Sequence, residues 1–154
     1  MLALRWDFDV GAARLVQDDL GALETDESLE SQVLISVFTD VEASPQEIET
    51  AGLDRQQGWW ADCDALRDPG ARRMGSKLWL LSREKTILAT CRRAEKYVRD
   101  SLLWLIDAGI VSTVVVVATR PRPGIVALDI TMTRPSKLLK AYRRLWEIRH
   151  DAFL

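Results

Sequence analysis

From Ile87 onward, apolar residues recur at Cys91, Ala94, Val98, Leu102 and Leu105, at intervals of four, three, four, four and three. This rhythm keeps one face of an α-helix apolar for about five turns, and a stripe of that length has to lie against another apolar surface. Gly109 follows as a residue free to adopt the left-handed conformation that closes a helix. The next segment supplies the surface. "IVSTVVVVAT" and "IVALDITMT" are rich in β-branched residues and flank "RPRPG", a turn-forming run. They predict a long antiparallel hairpin. A long helix followed by a hairpin that it can cover predicts an α+β domain.

The remaining segments extend this plan. "LALRWDFDV" alternates, placing Leu2, Leu4, Trp6, Phe8 and Val10 on one face, and Gly11 turns the chain toward a short strand at Leu15 and Val16. An N-terminal β-hairpin is expected. Asp26 is placed to cap a helix with Glu27 and Glu30 in its first turn, where carboxylates are favoured by the helix dipole. Its stripe is Leu29, Val33 and Val37, beside Leu34, Phe38 and Val41. From Asp40 to Gly58 the chain is acidic and polar with little periodicity, and reads as a loop. In "GSKLWLLSREK", Ser76 is placed to cap a short helix carrying Leu78, Trp79, Leu80 and Leu81, and Thr86 to start the next one. The closing "SKLLKAYRRLWEIRHDAFL" sets Leu138, Leu139, Tyr142, Leu145 and Trp146 at helical offsets. It reads as a short helical tail, although its aromatic and branched residues also suit a strand.

A length of 154 residues matches one domain, residues 1–154. No apolar run approaches the roughly 20 residues of a membrane helix, and "MLALRWDFDV" carries charge where a secretion signal has its apolar core. A cytosol-like compartment is therefore expected, and Cys63 and Cys91 read as thiols. The net charge of −2 hides an asymmetry: residues 1–70 hold 16 acidic and 4 basic side chains, and residues 71–154 hold 7 and 17. A basic half can bind nucleic acid, but here it meets an equal and opposite acidic half. No nucleic-acid motif accompanies it, so neutralisation within the fold or between neighbours is the expected use, and no nucleic-acid partner.

Catalytic constellations are scarce. His150 is the single histidine and lies near the end of the sequence, so any nucleophilic triad or histidine-based metal site depends on it. "GSK" at Gly75–Lys77 lacks the preceding glycine of a Walker-type phosphate loop. Its glycine reads instead as preparation for the helix start at Ser76. Carboxylates are plentiful, yet "DD", "ETDE" and the Asp40–Asp54 cluster look like turns, caps and solvated surface. A glycosidase needs two carboxyls across one cleft, one of them desolvated. No cofactor or metal is expected. Six tryptophans stand out in a chain of this size. Trp59 and Trp60 are adjacent in a loop, so one is expected to pin the loop and the other to face a rim or a partner.

Taken in order, "LRWDFDV…RLVQDD", "LESQVLISVFTD", "GWWAD", "GSKLWLLSREK", "LLWLIDAG", "ITMTRP" and a terminal "LW" resemble the Mu-like phage baseplate wedge family, over roughly Leu4 to Trp146. The pairing of "GWW" with "GSKLWLL" some 15 residues later carries the resemblance. It implies a structural, non-enzymatic subunit in the baseplate of a contractile phage tail or prophage-derived particle, made in the bacterial cytoplasm. It also implies contacts with other wedge proteins, the tail sheath and the central spike or hub. More distantly, the order helix then hairpin resembles the contractile-tail wedge and sheath-initiator family, some members of which are labelled tail lysozymes. That group carries a Glu-Pro-Arg signature between the long helix and the next strand, and this chain has "DAGIV", Asp107 to Val111, there. A tail hydrolase and a nucleic-acid binder are the rival functions. The structural or interface residues expected on these grounds are Trp59, Trp60, Gly75 and Trp79, with the apolar residues of "GSKLWLL" read as core, and the surrounding cations Arg72, Arg73, Lys77, Arg83 and Lys85, which offer a basic surface to an acidic neighbour. To these are added Thr119 and Asp129, expected as edge-strand positions where proline would remove a ladder donor and block strand addition. The valine run Val114–Val117 is expected to be covered on both faces, either by the domain's helices on one side and the C-terminal segment on the other, or by a partner chain after assembly.

Overall fold

The apolar stripe read from the sequence is the spine of the fold. In the computed structural model, which describes residues 3–7, 12–17, 19–23, 29–60, 62, 73–84, 88–134 and 137–147, it lies on a helix spanning Leu88–Asp107. The elements before this helix are β1 (Leu4–Asp7), β2 (Ala12–Leu15), α1 (Glu30–Phe38), α2 (Pro45–Thr50) and a 3-10 helix (Leu78–Leu81). The long helix is α3, and β3 (Thr113–Arg122), β4 (Ile125–Arg134) and β5 (Lys137–Glu147) follow it. The class is α+β, as expected.

On α3, Cys91 is buried and Ala94, Val98, Leu102 and Leu105 are fully so. Together with Val33 and Val37 of α1 and Val126, Leu128, Ile130 and Met132 of β4 they form one core. Trp104 adds a polar tie, its indole N–H donating to the buried Ser36 hydroxyl at 3.0 Å. Gly109 ends the helix as predicted. At φ +67° its N–H donates to the Ile106 carbonyl and that of Ile110 to the Leu105 carbonyl, both at 2.9 Å, which satisfies the last-turn acceptors.

β3 and β4 pair antiparallel around a turn at Pro123 and Gly124, where Gly124 takes φ +81°. Val114, Val116 and Ala118 form the row that packs on the core. Val115 and Val117, on the opposite face, stay 52% and 46% exposed. Of the two expected sources of cover for the second face, the C-terminal segment is thus overturned, and a partner chain after assembly stays open. The C-terminal segment that was to supply the cover goes elsewhere: β5 pairs with β4, Ile125 opposite Glu147 through Arg134 opposite Lys137, giving the sheet order β3-β4-β5. The same pairing corrects the reading of that segment as a helix. Its apolar offsets fit a helix, but its residue types also fit a strand, and the open edge of β4 offers a backbone ladder that local spacing cannot reveal.

The two positions chosen for a proline block are corrected as well. Asp129 lies on the central strand, opposite Val117 on one side and Arg143 on the other. Thr119 is on an edge strand but pairs with Ala127. The Ala118 amide points outward, so alternation along the ladder turns that of Thr119 inward. Proline at either site would break the protein's own sheet. Thr119→Pro should therefore lower the thermal midpoint of the isolated protein, and an unchanged melt would contradict this register.

β1 and β2 form the expected N-terminal hairpin, with Leu4 opposite Leu15 and Arg14 in an ion pair with Asp7 at 3.0 Å. Leu2, Phe8, Val10, Gly11, Asp26, Glu27, Cys63, Arg72, Lys85, Thr86 and His150 lie outside the described residues. The Asp40–Gly58 stretch, read as a loop, contains α2. Ser44-Pro45-Gln46-Glu47 is a capping box with proline in the first turn: the Glu47 N–H donates to Ser44 Oγ at 3.3 Å and the Ser44 N–H to Glu47 Oε2 at 2.9 Å. That signal was legible, but apolar periodicity alone misses it in a helix of six residues.

Candidate assembly interface

"GSKLWLL" organises the surface around it. Gly75 sits at φ +119°, and a Cβ placed there would come within 2.5 Å of the Thr39 carbonyl oxygen. This close approach lets Ser76 lie beside Asp40 as a short parallel bridge. The Ser76 N–H donates to the Thr39 carbonyl at 2.8 Å, and the Val41 N–H to the Ser76 carbonyl at 3.1 Å. The Ser76 hydroxyl donates to the Val37 carbonyl at 2.6 Å and accepts from the Leu78 N–H at 3.3 Å, but the residue at the N-cap of the 3-10 helix is Lys77, so the expected cap at Ser76 is corrected by one position. A 3-10 helix repeats every three residues, which puts Leu78 and Leu81 on one side and into the main core. Trp79 and Leu80 instead form a second cluster with Ala43, packed by Ile48, Ala51, Leu53 and Tyr97. The Trp79 indole N–H donates to the Val41 carbonyl at 2.9 Å.

Three of the cations that flank this run, Arg73, Lys77 and Arg83, meet carboxylates of the same chain. Arg73 pairs with Glu42. The Lys77 ammonium donates to both Glu47 oxygens, at 2.7 and 2.8 Å. Arg83 donates to the Gly52 carbonyl at 3.0 Å and stands 3.9 Å from Asp54. For Arg73, Lys77 and Arg83 the acidic neighbour is thus the Asp40–Asp54 stretch of this chain, and the expected basic docking surface is corrected to that extent. Part of the charge asymmetry in the sequence closes on itself here.

The hydrogen bond from Lys77, with those from Ser44, holds the Glu47 carboxyl down at about 2, below its ordinary 4.5. A carboxylate lowered in the folded state stabilises the fold above its unfolded pKa, and that contribution disappears as pH falls from about 4.5 through about 2. Glu47→Gln should therefore cost stability at neutral pH and little at pH 2. Because Lys77 and Glu47 are about one-third exposed, salt should shrink the difference. Thermal melts of both proteins across that range check this, and an equal gap at both ends would refute it. Elsewhere, burial raises the Asp40 carboxyl and the charge of Arg55 partly offsets it. Burial also raises the thiol of Cys91, a free cysteine, which disfavours the reactive thiolate.

Trp59 and Trp60 pack on each other, with ring centroids 5.9 Å apart and planes tilted by 55°. Trp59 is half-buried, while Trp60 is 79% exposed. A cleft of about 260 Å³ lies between Gly75–Lys77 and α3, lined by Glu47, Lys77, Lys96, Tyr97 and Asp100 among others. Its Glu47 is held ionised, the reverse of the protonated acid that glycoside cleavage needs. Among the described residues there is no group of three or more histidine, cysteine, aspartate or glutamate side chains that could hold a metal ion. No helix among them is long and apolar enough to cross a membrane.

Among the described residues the fold is α+β, with β3 at the end of its sheet and with Val115, Val117 and Trp60 among its exposed large apolar side chains. Residues 29–138 match the model of the family described as Phage protein GP46, and the chain belongs to that family. It is 41% identical, over 87% of each chain, to the baseplate protein gp46 of Escherichia phage Mu. It is 31% identical, over 96% of this chain and 98% of the other, to the Mu-like prophage FluMu protein gp46 of Haemophilus influenzae.

Proposed function

We propose that this chain is a structural, non-enzymatic baseplate protein of a Mu-like contractile tail or prophage-derived particle, with residues 1–154 acting as one wedge domain. The observation that carries this reading is its similarity to the phage Mu baseplate protein along 87% of both chains. In this reading its partners are other wedge proteins, the sheath and the spike or hub, and its place is the tail baseplate. The open face and edge of β3 are where a neighbour's extended segment adds a strand, and Trp60 is a second contact.

Complementation of a phage lacking this gene tests the reading. Wild-type protein restores intact tails, and Val115→Lys, which charges the exposed strand, gives particles without a complete baseplate while the isolated variant melts as wild type. Trp60→Ala should leave stability within about 0.5 kcal/mol, as for an exposed side chain, and weaken incorporation into tails. Normal particles from both variants would remove β3 and Trp60 as contacts. Cell-wall cleavage by the purified protein, abolished by changing a single carboxylate, would overturn the structural role itself.

A further inference from the structure

The outer edge of β3 carries an unusual combination. Thr113–Thr119 reads TVVVVAT, without charge or proline, on the strand that ends the sheet among the described residues. Edge strands of this composition are prone to pair with other chains, and proteins commonly protect them with charge, proline or a covering group. One such group is in place. Glu95, projecting from the middle of α3, accepts a hydrogen bond from the outward-pointing Ala118 N–H at 2.9 Å through Oε1. Alternation along the ladder sends the amides of Val114 and Val116 the same way.

The segment is also close to self-complementary. Run antiparallel about Val116, it sets Thr113 against Thr119, Val114 against Ala118 and Val115 against Val117 of a second copy. This two-fold arrangement presents the same patch from both sides. The outward N–H of Ala118 would then donate to the Val114 carbonyl of the other copy, and vice versa. The Glu95 carboxylate occupies that donor.

We propose that the Glu95 to Ala118 bond is a latch that keeps β3 from pairing with β3 of a second copy of this chain before assembly. The proposal rests on the reading of β3 as an assembly edge. The latch competes for one backbone donor at the end of a three-residue ladder, so a partner can still displace it by supplying the whole ladder.

Light scattering on wild-type protein and on Glu95→Ala, Glu95→Asp and Glu95→Gln, from low to high micromolar concentration, tests the latch. Alanine removes the acceptor and aspartate withdraws it by one methylene, so both should dimerise at least about tenfold more tightly than wild type, about 1.4 kcal/mol. Glutamine keeps an acceptor oxygen and should behave as wild type. Adding Val115→Lys to Glu95→Ala should restore the monomer by placing a charge at the paired edge. Thermal melts identify any variant that fails to fold, and the aspartate variant preserves charge and most of the packing if alanine does not fold. Folded Glu95→Ala and Glu95→Asp that stay monomeric would overturn the latch, as would association that Val115→Lys does not reverse. Failure of the assembly reading looks different, because Val115→Lys in the otherwise wild-type protein would then still build normal tails.

Discussion

Gly75→Ala should cost about 3–5 kcal/mol of folding stability, a large share of the roughly 5–15 kcal/mol of an ordinary domain. Two costs combine. A side chain at φ +119° is strained wherever it sits, and here the added Cβ would stand 2.5 Å from the Thr39 carbonyl oxygen and 2.9 Å from its carbon. That carbonyl cannot withdraw easily, since it accepts the Ser76 N–H and follows α1 directly. Backbone atoms held from both sides give less than the tip of a flexible side chain. The substitution should therefore separate the Ser76 bridge from Asp40, and with it the second core cluster. Urea unfolding measures the loss, and a loss below about 1 kcal/mol would mean that the close approach is not maintained in solution.

Trp79→Ala should be comparable, at about 3–5 kcal/mol, the usual range for emptying a buried aromatic site. Trp79 is 7% exposed and is the largest member of the cluster that holds α2 against the body of the fold. Trp79→Phe separates packing from hydrogen bonding. It retains most of the apolar area but leaves the Val41 carbonyl without the indole donor it has at 2.9 Å, a loss of about 1–3 kcal/mol if water cannot replace it. Because α2 carries Glu47, the alanine variant should also lose the acid dependence assigned to the Lys77 to Glu47 pair. An alanine variant that kept that dependence would show α2 docked by something other than Trp79.

These two sites also show how far local pattern reaches. Gly75 was legible as a helix-start glycine, but its need for a bare Cα was not, because the obstructing carbonyl belongs to Thr39, far away in sequence. Trp79 was legible as core. That it enters a different cluster from Leu78 follows from the 3-10 form of the segment, which apolar content alone does not distinguish from an α-helical turn. Arg73, Lys77 and Arg83 were legible as part of a charged surface, and the folded chain turns these three toward its own carboxylates.

The sequence by itself determined the elements whose signal is local and repeated. The α3 stripe, its glycine stop, the proline and glycine turn between β3 and β4, and the N-terminal hairpin all follow from side-chain period and backbone permissiveness within one element. Tertiary structure alone decided what depends on which backbone edges and charges come to face one another. β5 is a strand because β4 offers it a ladder, Asp129 is central for the same reason, and Val115 and Val117 stay open because β5 adds at an edge instead of stacking on a face. Glu95 meets the Ala118 amide only once α3 and β3 have packed, since hydrogen bonds between elements distant in sequence have no period from which to read them.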